Sequence, residues 1–430
     1  MSTPTKRVAF HTLGCKLNYS ETSTISRDFI TRGFEKVEYR DYADIYVINT
    51  CSVTENADKE ARRLIRQAKR LNPSSSIAVI GCYAQLKPEE IAAIDGVDLV
   101  IGSEEKFNLL DHLNELDQKE DNTIIRSSIR HVHSFKPSYS IGDRTRSYLK
   151  VQDGCDYTCS FCTIPLARGK SRSGNIQTTV KTAQEVALKG VKEIVLTGVN
   201  IGDFGVGSDE NLLQLLIELD NIEGVERFRI SSIEPNLLNN DIIAFCNTSK
   251  KFVPHFHIPL QSGSNKILKG MRRRYDQTIY RKKINKILSS NSETCIGVDV
   301  MVGFPGESDE DFLETYNFIN DIDISYLHVF TYSERPDTPA KNIKEVISKR
   351  VRAERSKMLH TLSQKKRRYF YDHFINTHRE VLFESSRNGK LVGHTDNYIK
   401  VEIDNFPGLV NKIHSVKLIE NRGEYVMGEL

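Results

Sequence analysis

The most informative stretch of this 430-residue sequence is Cys155-Asp156-Tyr157-Thr158-Cys159-Ser160-Phe161-Cys162. It directly follows a predicted strand at 148–151. Cysteine thiolates are the protein ligands of iron–sulfur clusters, and a loop with three close thiols and no fourth can hold three irons of a cubane and leave one open. Zinc sites instead pair a CxxC motif with a second pair or with histidines, and no histidine stands near this triplet. The stretch therefore predicts an iron–sulfur cluster with an open coordination position.

Six predicted strands, separated by helical stretches, begin with the strand before this loop. The strands lie at 148–151, 193–196, 227–233, 255–260, 296–302 and 326–332, with helices between them at 178–189, 212–219 and 309–319. Six βα repeats are typical of a partial (β/α) barrel, whose active site lies at the C-terminal ends of the strands. The cysteine loop would then lie at the mouth of the barrel.

The N-terminal third alternates strands and helices in the same way. Strands are predicted at 7–13, 45–49, 77–80 and 97–101, and helices at 18–32, at 55–71 and from Pro88 onward. This alternation indicates βαβ units and a parallel sheet.

Three cysteines of this part follow three of the predicted strands directly. Cys15, Cys51 and Cys82 each come just after a strand ends, and open parallel sheets bind ligands outside those ends. The alternative is three unrelated buried thiols, since free cysteine is often buried. The shared position favours one metal centre. Cys246 and Cys295 lack such partners and are predicted to be ordinary packed thiols.

The C-terminal part combines a basic helix with short strands. Between 341 and 379, twelve Lys and Arg residues stand against three Asp and Glu residues, which indicates either a polyanionic partner or a solvated helical face. Short strands follow at 380–384, 391–393, 398–403, 414–418 and 425–427, a pattern that predicts a small closed antiparallel barrel. The predicted fold class is therefore α/β: an N-terminal parallel sheet domain, a central partial (β/α)6 barrel and a small C-terminal β-barrel.

Composition narrows the class of protein. With 39% hydrophobic and 27% charged residues and a mean hydropathy of -0.42, the chain is expected to be a soluble globular protein. We expect no secretory signal and no membrane span, because the apolar runs are too short to cross a bilayer. The expected compartment is the cytoplasm. Eight cysteines in such a chain favour metal or redox chemistry over a disulfide framework.

These motifs resemble those of a known superfamily and of one branch within it. CxxxCxxC with Phe161 before its last cysteine resembles the signature of the radical S-adenosylmethionine superfamily, and the N-terminal cysteines resemble its methylthiotransferase branch. The matching stretches are 13–18, 49–51, 81–85, 164–169, 259–264 and 302–307. The five short strands at the C-terminus resemble the TRAM domain, a module associated with RNA binding; a domain that only packs against the barrel is the alternative.

The resemblance implies cofactors and site residues. It implies two [4Fe-4S] clusters and S-adenosylmethionine. One cluster, on Cys155, Cys159 and Cys162, would bind and cleave the S-adenosylmethionine, and the other, on Cys15, Cys51 and Cys82, would carry the sulfur to be transferred. The residues expected near S-adenosylmethionine are Phe161, Gly198, Glu234, Gln261 and Asp299. For the polar ones, a capping or turn role is the alternative.

The resemblance also implies a domain plan and a reaction. The expected domains are 1–125 with the first cluster, a linker at 126–143, the radical S-adenosylmethionine core with its basic helix at 144–374, and a TRAM RNA-binding domain at 375–430. Gly14-Cys15-Lys16-Leu17-Asn18 looks like the branch that adds a methylthio group to C2 of N6-threonylcarbamoyladenosine at position 37 of tRNA. Expected partners are that tRNA, a flavodoxin- or ferredoxin-like electron donor and a sulfur source. The alternatives are an isopentenyladenosine methylthiotransferase and a non-catalytic iron–sulfur RNA-binding sensor.

Overall fold

A computed structural model describes residues 5–52, 55–116, 123–142 and 145–430 of the protein. Across these residues, no helix is both long and apolar enough to pass through a membrane. The predicted fold class is confirmed: a parallel sheet, a partial barrel and a small closed β-barrel follow one another along the chain. The small barrel differs from the prediction in one respect, since one of its strand pairs is parallel and the others are antiparallel. The predicted domain limits stay a prediction.

The N-terminal part is a parallel sheet with helices on both faces. Its strands and helices are β1 (Arg7–Thr12), α1 (Lys16–Thr31), β2 (Glu35–Val37), β3 (Ile45–Thr50), α2 (Glu55–Leu71), β4 (Ser76–Gly81), α3 (Cys82–Leu86), α4 (Pro88–Ala92), β5 (Leu99–Ile101), α5 (Leu109–Leu116) and β6 (Thr123–Ile125). The strand order is β2-β1-β3-β4-β5-β6. Every residue of β3 is buried, because α1 and α5 cover one face of the sheet and α2, α3 and α4 the other. Parallel strands buried on both faces are continuous apolar runs, which made β3 and β4 predictable.

The central part is the predicted open barrel of six parallel strands. Its elements are β7 (Ser138–Tyr139), β8 (Arg146–Lys150), β9 (Gln152–Asp153), α6 (Ile164–Arg168), β10 (Arg172–Ser173), α7 (Ile176–Ala187), β11 (Glu193–Thr197), α8 (Leu212–Asp220), β12 (Arg227–Ile230), α9 (Asn240–Thr248), β13 (His255–His257), α10 (Asn265–Gly270), α11 (Gln277–Ser290), β14 (Cys295–Val302), α12 (Asp309–Asp321), β15 (Tyr326–Thr331) and α13 (Lys349–Asp372). The barrel strands are β8, β11, β12, β13, β14 and β15, with isolated bridges joining β12 to β13. The predicted linker is not wholly irregular, since its strand β7 pairs antiparallel with β8.

Side chains alternate along each barrel strand between an apolar outer core and a polar lumen. In β14, Ile296, Val298 and Val300 belong to the core shared with the surrounding helices. Because successive strand residues point to opposite faces, Asp299 points into the lumen. By the same alternation, each of the remaining five barrel strands also directs a polar side chain into the lumen: Lys150, Glu193, Arg229, His257 and His328. A barrel lined this way is suited to binding polar ligands.

The C-terminal part is a closed five-stranded barrel that seals the floor of the central barrel. Its strands are β16 (His378–Arg387), β17 (Lys390–Thr395), β18 (Lys400–Asp404), β19 (Ile413–Asn421) and β20 (Val426–Glu429). Tyr398, between β17 and β18, has a left-handed backbone with φ of 67°. Its ring lies 4.6 Å from the ring of His255 and 4.8 Å from the guanidinium carbon of Arg229. The turn that carries Tyr398 therefore plugs the N-terminal end of the lumen.

A buried charge network joins the N-terminal sheet to the central barrel. The Glu21 carboxylate, on α1, lies 2.6 Å from Lys106 Nζ, 2.9 Å from Lys150 Nζ and 3.0 Å from Arg168 Nη2. Asp153 accepts from Lys150, Arg168 and Arg172 at 2.7, 2.9 and 3.2 Å. Burial alone would raise the pKa of Glu21, but Arg168, Lys106 and Lys150 outweigh it and hold that pKa well below its usual range.

We predict that Glu21→Gln lowers the free energy of unfolding by about 3–5 kcal/mol at pH 7, because the variant leaves buried cations without their counter-charge. Urea denaturation measures this. A carboxylate whose pKa is lower in the folded state stabilises that state above its unfolded pKa, and loses this effect as the pH falls. The difference between wild type and variant should therefore shrink below the ordinary glutamate pKa of 4.5. Glu35→Gln, at an exposed position of β2, is the control, with an expected change within about 0.5 kcal/mol. Equal effects of the two substitutions would contradict the prediction.

Candidate active site

The structure brings the three N-terminal cysteines to one edge of the sheet. Cys15 precedes α1, Cys51 follows β3, and Cys82 begins α3 directly after β4. A Cβ built on Gly14 would lie 2.8 Å from Cys51 Sγ, so Gly14, with φ of 95°, allows the Cys15 loop to contact Cys51. Cys15 in turn lies close enough to Cys82 to contribute to its electrostatics.

Asn18 ties the first two cysteine loops together. Its side-chain amide donates to the Leu13 carbonyl at 2.9 Å and to the Thr50 carbonyl at 3.1 Å. Its Oδ1 accepts from Arg168 Nη2 at 2.5 Å. Since Leu13 and Thr50 shortly precede Cys15 and Cys51, this one side chain fixes two thiol loops relative to α6 of the barrel.

The three cysteines after β9 form a second group at the barrel mouth. Each thiol has a donor aimed at its sulfur: the Tyr157 N–H lies 3.4 Å from Cys155 Sγ, the Ile164 N–H lies 3.4 Å from Cys162 Sγ, and Arg273 Nη1 lies 3.1 Å from Cys159 Sγ. Arg273 also forms an ion pair with Glu234, one of the predicted S-adenosylmethionine contacts.

Burial raises the pKa of the thiols in this second group. It raises the pKa of Cys155 to about 12 and that of Cys162 to about 12, and it raises the pKa of Cys159 against the opposing charge of Arg273. As free side chains, all three are thiols. A metal centre displaces such protons, because only the thiolate binds metal.

Of the predicted S-adenosylmethionine contacts, Gly198, Glu234 and Gln261 follow barrel strands, and Asp299 lies within β14. Gly198 follows β11 and packs against Gln152, whose Oε1 accepts from the N–H groups of Val199 and Asn200 at 2.9 and 2.8 Å. Asp299 Oδ1 lies 2.8 Å from His257 Nε2. Gln261, with φ of 67°, follows β13.

Phe161 lies at the same mouth, inside the second cysteine group. Its ring packs edge-on against Phe304, with centroids 6.5 Å apart. The structure thus gathers the five predicted contacts around one opening, and their roles stay a prediction.

The comparisons agree with this architecture. A profile described as "Uncharacterized protein family UPF0004" matches residues 7–102, and the Radical SAM superfamily profile matches residues 149–319. The chain is 41% identical to the threonylcarbamoyladenosine tRNA methylthiotransferase MtaB of Bacillus subtilis (strain 168), covering 97% of this chain and 96% of the relative.

The chain belongs to the radical S-adenosylmethionine methylthiotransferase family.

Two further comparisons place this methylthiotransferase within its family and its fold. It is 31% identical to a tRNA-2-methylthio-N(6)-dimethylallyladenosine synthase of Rickettsia conorii (strain ATCC VR-613 / Malish 7), covering 99% of both chains. Its fold is similar to that of the radical S-adenosylmethionine methyltransferase TsrM from Kitasatospora setae, with a TM-score of 0.58, 13% identity and coverage of 78% of this chain and 77% of that one.

Family membership implies S-adenosylmethionine and two [4Fe-4S] clusters, and the cysteine surroundings fit such groups. Clusters held by thiolates carry negative charge, and their properties depend on hydrogen bonds to the sulfurs. Each thiol after β9 already faces such a donor. Burial raises the pKa of Cys82, but the charges of Arg168 and Lys106 oppose this rise. These two cations would therefore stabilise an anionic cluster bound at Cys82.

Three charged residues of the site were not predicted from the sequence. Arg273 is the second of three consecutive arginines at 272–274, and its side chain is only 4% exposed. Arg335, after β15, donates to Ser52 Oγ at 2.6 Å and pairs with Asp58 at 2.8 Å beside the Cys51 loop. Arg168 lies in the quoted 164–169 motif, but nothing local in the sequence pairs it with Glu21.

We predict that Arg273→Met makes the reduction potential of the cluster at the 155–162 loop more negative, by on the order of 50 mV, because it removes a cation and a donor that stabilise the reduced, more anionic form. A redox titration of the reconstituted protein followed by electron paramagnetic resonance measures this. Arg274→Met is the control, since Arg274 stacks over the Tyr157 ring at 3.8 Å. A potential unchanged in the Arg273 variant, or lowered equally in both, would contradict the prediction.

Proposed function

We propose that the chain adds a methylthio group to C2 of N6-threonylcarbamoyladenosine at position 37 of tRNA. The observation that supports this most directly is the convergence of two cysteine triads, from two domains, on one barrel mouth. One triad is expected to serve S-adenosylmethionine cleavage, and the other would deliver sulfur to the same base.

The six cysteines are assigned as cluster ligands in this proposal. Cys155, Cys159 and Cys162 would hold the cluster that cleaves S-adenosylmethionine, and Cys15, Cys51 and Cys82 would hold the cluster that carries the sulfur. When bound, S-adenosylmethionine and the clusters supply the radical and sulfur chemistry, while the protein binds, orients and shields. Asn18 fixes two of the thiol loops through backbone carbonyls.

The strand-end residues would hold S-adenosylmethionine. Phe161 and Gly198 offer apolar contact and close backbone approach, and Glu234, Gln261 and Asp299 offer acceptors or donors for amine and hydroxyl groups. Glu234 and Asp299 are each already oriented by a cation or a histidine, which supports a positioned role over a turn or capping role.

The identity to relatives that act on each of the two modified bases supports threonylcarbamoyladenosine as the substrate. Identity is 41% to the threonylcarbamoyladenosine enzyme of Bacillus subtilis and 31% to the dimethylallyladenosine enzyme of Rickettsia conorii. We infer that the chain shares the substrate of the former. The cytoplasm is the proposed compartment, with a flavodoxin- or ferredoxin-like electron donor and a separate sulfur source as partners.

The tRNA would bind across α13 and the C-terminal barrel, the proposed TRAM domain. Lys357, Lys365 and Arg368 are exposed on α13 and are free to meet phosphates. Lys366, which the sequence places in the same basic run, is a poorer candidate, because its Nζ donates to the carbonyls of Asn320 and Ile322 at 2.7 Å each.

Two tRNA substrates test the function directly. We predict that the anaerobically reconstituted protein converts tRNA carrying threonylcarbamoyladenosine to its methylthio product and turns over isopentenyladenosine tRNA far more slowly. A site built for polar groups rejects a substrate that leaves them unpaired. Mass spectrometry of the digested nucleosides measures both products. Equal or faster turnover of the isopentenyl substrate would favour the other branch.

We predict that replacing Cys15, Cys51 and Cys82 together by Ala halves the iron content from about eight irons to about four. This variant should still cleave S-adenosylmethionine when reduced, yet form no methylthio nucleoside. The Ala variant of Cys155, Cys159 and Cys162 should lose cleavage and keep the other cluster. The Ala variant of Cys246 and Cys295, two buried thiols outside both groups, is the control and should keep all its iron. Full iron and tRNA methylthiolation in the first variant would refute the two-cluster assignment.

We predict that Lys365→Ala reduces the slope of log Kd against log salt for tRNA by about 0.7–0.9, the contribution of one neutralised phosphate. Fluorescence anisotropy over a salt series measures the slope. Lys181→Ala, exposed on α7, is the control and should leave the slope unchanged. A slope that is the same in wild type and in both variants would remove α13 from the proposed tRNA surface.

A further inference from the structure

Lys16 reaches from the N-terminal domain into the lumen of the central barrel. It is the first residue of α1, directly after Cys15. The ring of Tyr19, one turn further along α1, lies 5.8 Å from the ring of Tyr148 on β8, so the start of α1 lies along the open edge of the barrel. Lys16 in turn is within electrostatic range of Tyr398, Arg146 and Arg229 on the barrel floor.

The Lys16 ammonium is accessible to solvent. Its side chain is exposed, although it lies within electrostatic range of groups on the barrel floor. Both observations fit a side chain that projects into a water-accessible lumen. His255 and His328, on the two strands that flank β14, are also within electrostatic range of Lys16.

The acidic groups around this space are already paired with other cations. Glu193 accepts from Arg229 at 3.0 and 3.3 Å, and Glu384 pairs with Arg146 at 3.1 Å. Asp299 is paired with His257. No residue within the described ranges forms a hydrogen bond or ion pair with the Lys16 ammonium. A cation that lies at a protein lumen with its neighbouring acids already paired gives that lumen an excess of positive charge, and such an excess attracts anions, so this lysine points to an anionic ligand.

The proposed substrate carries an anion in the matching place. C2 and C6 of adenine flank the ring nitrogen N1, and N6 is attached to C6, so a group on N6 can extend past N1 towards C2. The ribose and phosphates leave from the opposite side of the purine. Lys16 follows Cys15, which is proposed to hold the sulfur-bearing cluster, so the residue beside that cluster meets the N6 substituent and not the backbone phosphates.

We propose that the Lys16 ammonium binds the carboxylate of the threonylcarbamoyl group and thereby selects this modified base. The proposal deepens the function proposed above and rests on it. A charge-assisted hydrogen bond to this cation discriminates between the two bases, because the isopentenyl group offers no acceptor for it.

The test compares wild type and a Lys16 variant on two tRNA substrates, as in a double-mutant cycle. The substrates are tRNA carrying threonylcarbamoyladenosine and the same tRNA with that carboxylate converted to its neutral methyl amide. We expect Lys16→Met to lower kcat/KM on the natural tRNA by about 10- to 100-fold. Masking the carboxylate should cost wild type a similar factor and cost the variant little more. Lys16→Arg should recover most of the loss, and Lys181→Met is the charge-deletion control.

The outcomes separate the possible failures. The S-adenosylmethionine carboxylate is the other anion of the site, so cleavage and its KM are measured with and without tRNA; a KM rise for S-adenosylmethionine alone would overturn the proposal. Wild type that treats both tRNAs equally would also overturn it, and this arm does not depend on the fold of any variant. Wild type that fails on threonylcarbamoyladenosine tRNA but modifies another would refute the proposed function itself.

Discussion

The ion pairs around the Glu21 carboxylate hold the two halves of the site in one arrangement. Three cations from three segments converge on this fully buried group: Lys106 from the N-terminal domain, and Lys150 and Arg168 from the barrel. Separating the domains would break the pairs of Glu21 with Lys150 and Arg168. Only the pairs within each domain would remain, Glu21 with Lys106 and Asp153 with Lys150 and Arg168, and breaking a buried pair is strongly destabilising. Glu21 lies on the helix that begins after Cys15, and Arg168 ends the short helix that follows Cys162. The network that joins the domains therefore also fixes the distance between the two cysteine groups.

Closure of the barrel follows from the same arrangement. Six strands leave a gap between β8 and β15, and α1 packs along the β8 side, while Arg335 after β15 pairs with Asp58 of the N-terminal domain. The C-terminal barrel closes the floor with Tyr398. The mouth of the barrel is the side that remains open to substrate. The C-terminal ends of the barrel strands and both cysteine groups lie there. The C-terminal barrel therefore does more than pack against its neighbour, because the Tyr398 side chain forms part of the lumen floor.

The sequence predicted the parts of this architecture that depend on local pattern. Buried strands such as β3 and β4 are continuous apolar runs, and a cysteine directly after such a strand has its place fixed by the strand. Strands β2 and β7, of three and two residues, carry no pattern of their own and exist only because longer neighbours pair with them. The contacts of Arg273 and Lys366 could not be predicted for a different reason. Both lie in basic runs, and only the folded chain shows that one pairs with Glu234 beside Cys159 while the other donates to the carbonyls at the end of α12.

A formal net charge of +3 for the whole chain hides how its charges are used. Around Glu21 and Asp153 there are four cations for two carboxylates, and the surplus lies beside Cys82. On the barrel floor the acids are again fully engaged by arginines, and Lys16 adds a further positive charge. Both surpluses face the space where anionic groups belong: thiolate-bound clusters in the first case and a carboxylate in the second. An iron–sulfur sensor needs a sealed metal site and a surface for RNA, but it has no use for a polar lumen with an uncompensated cation beside the cysteines. The distribution of buried charge thus favours an enzyme that receives a charged base over a protein that only senses.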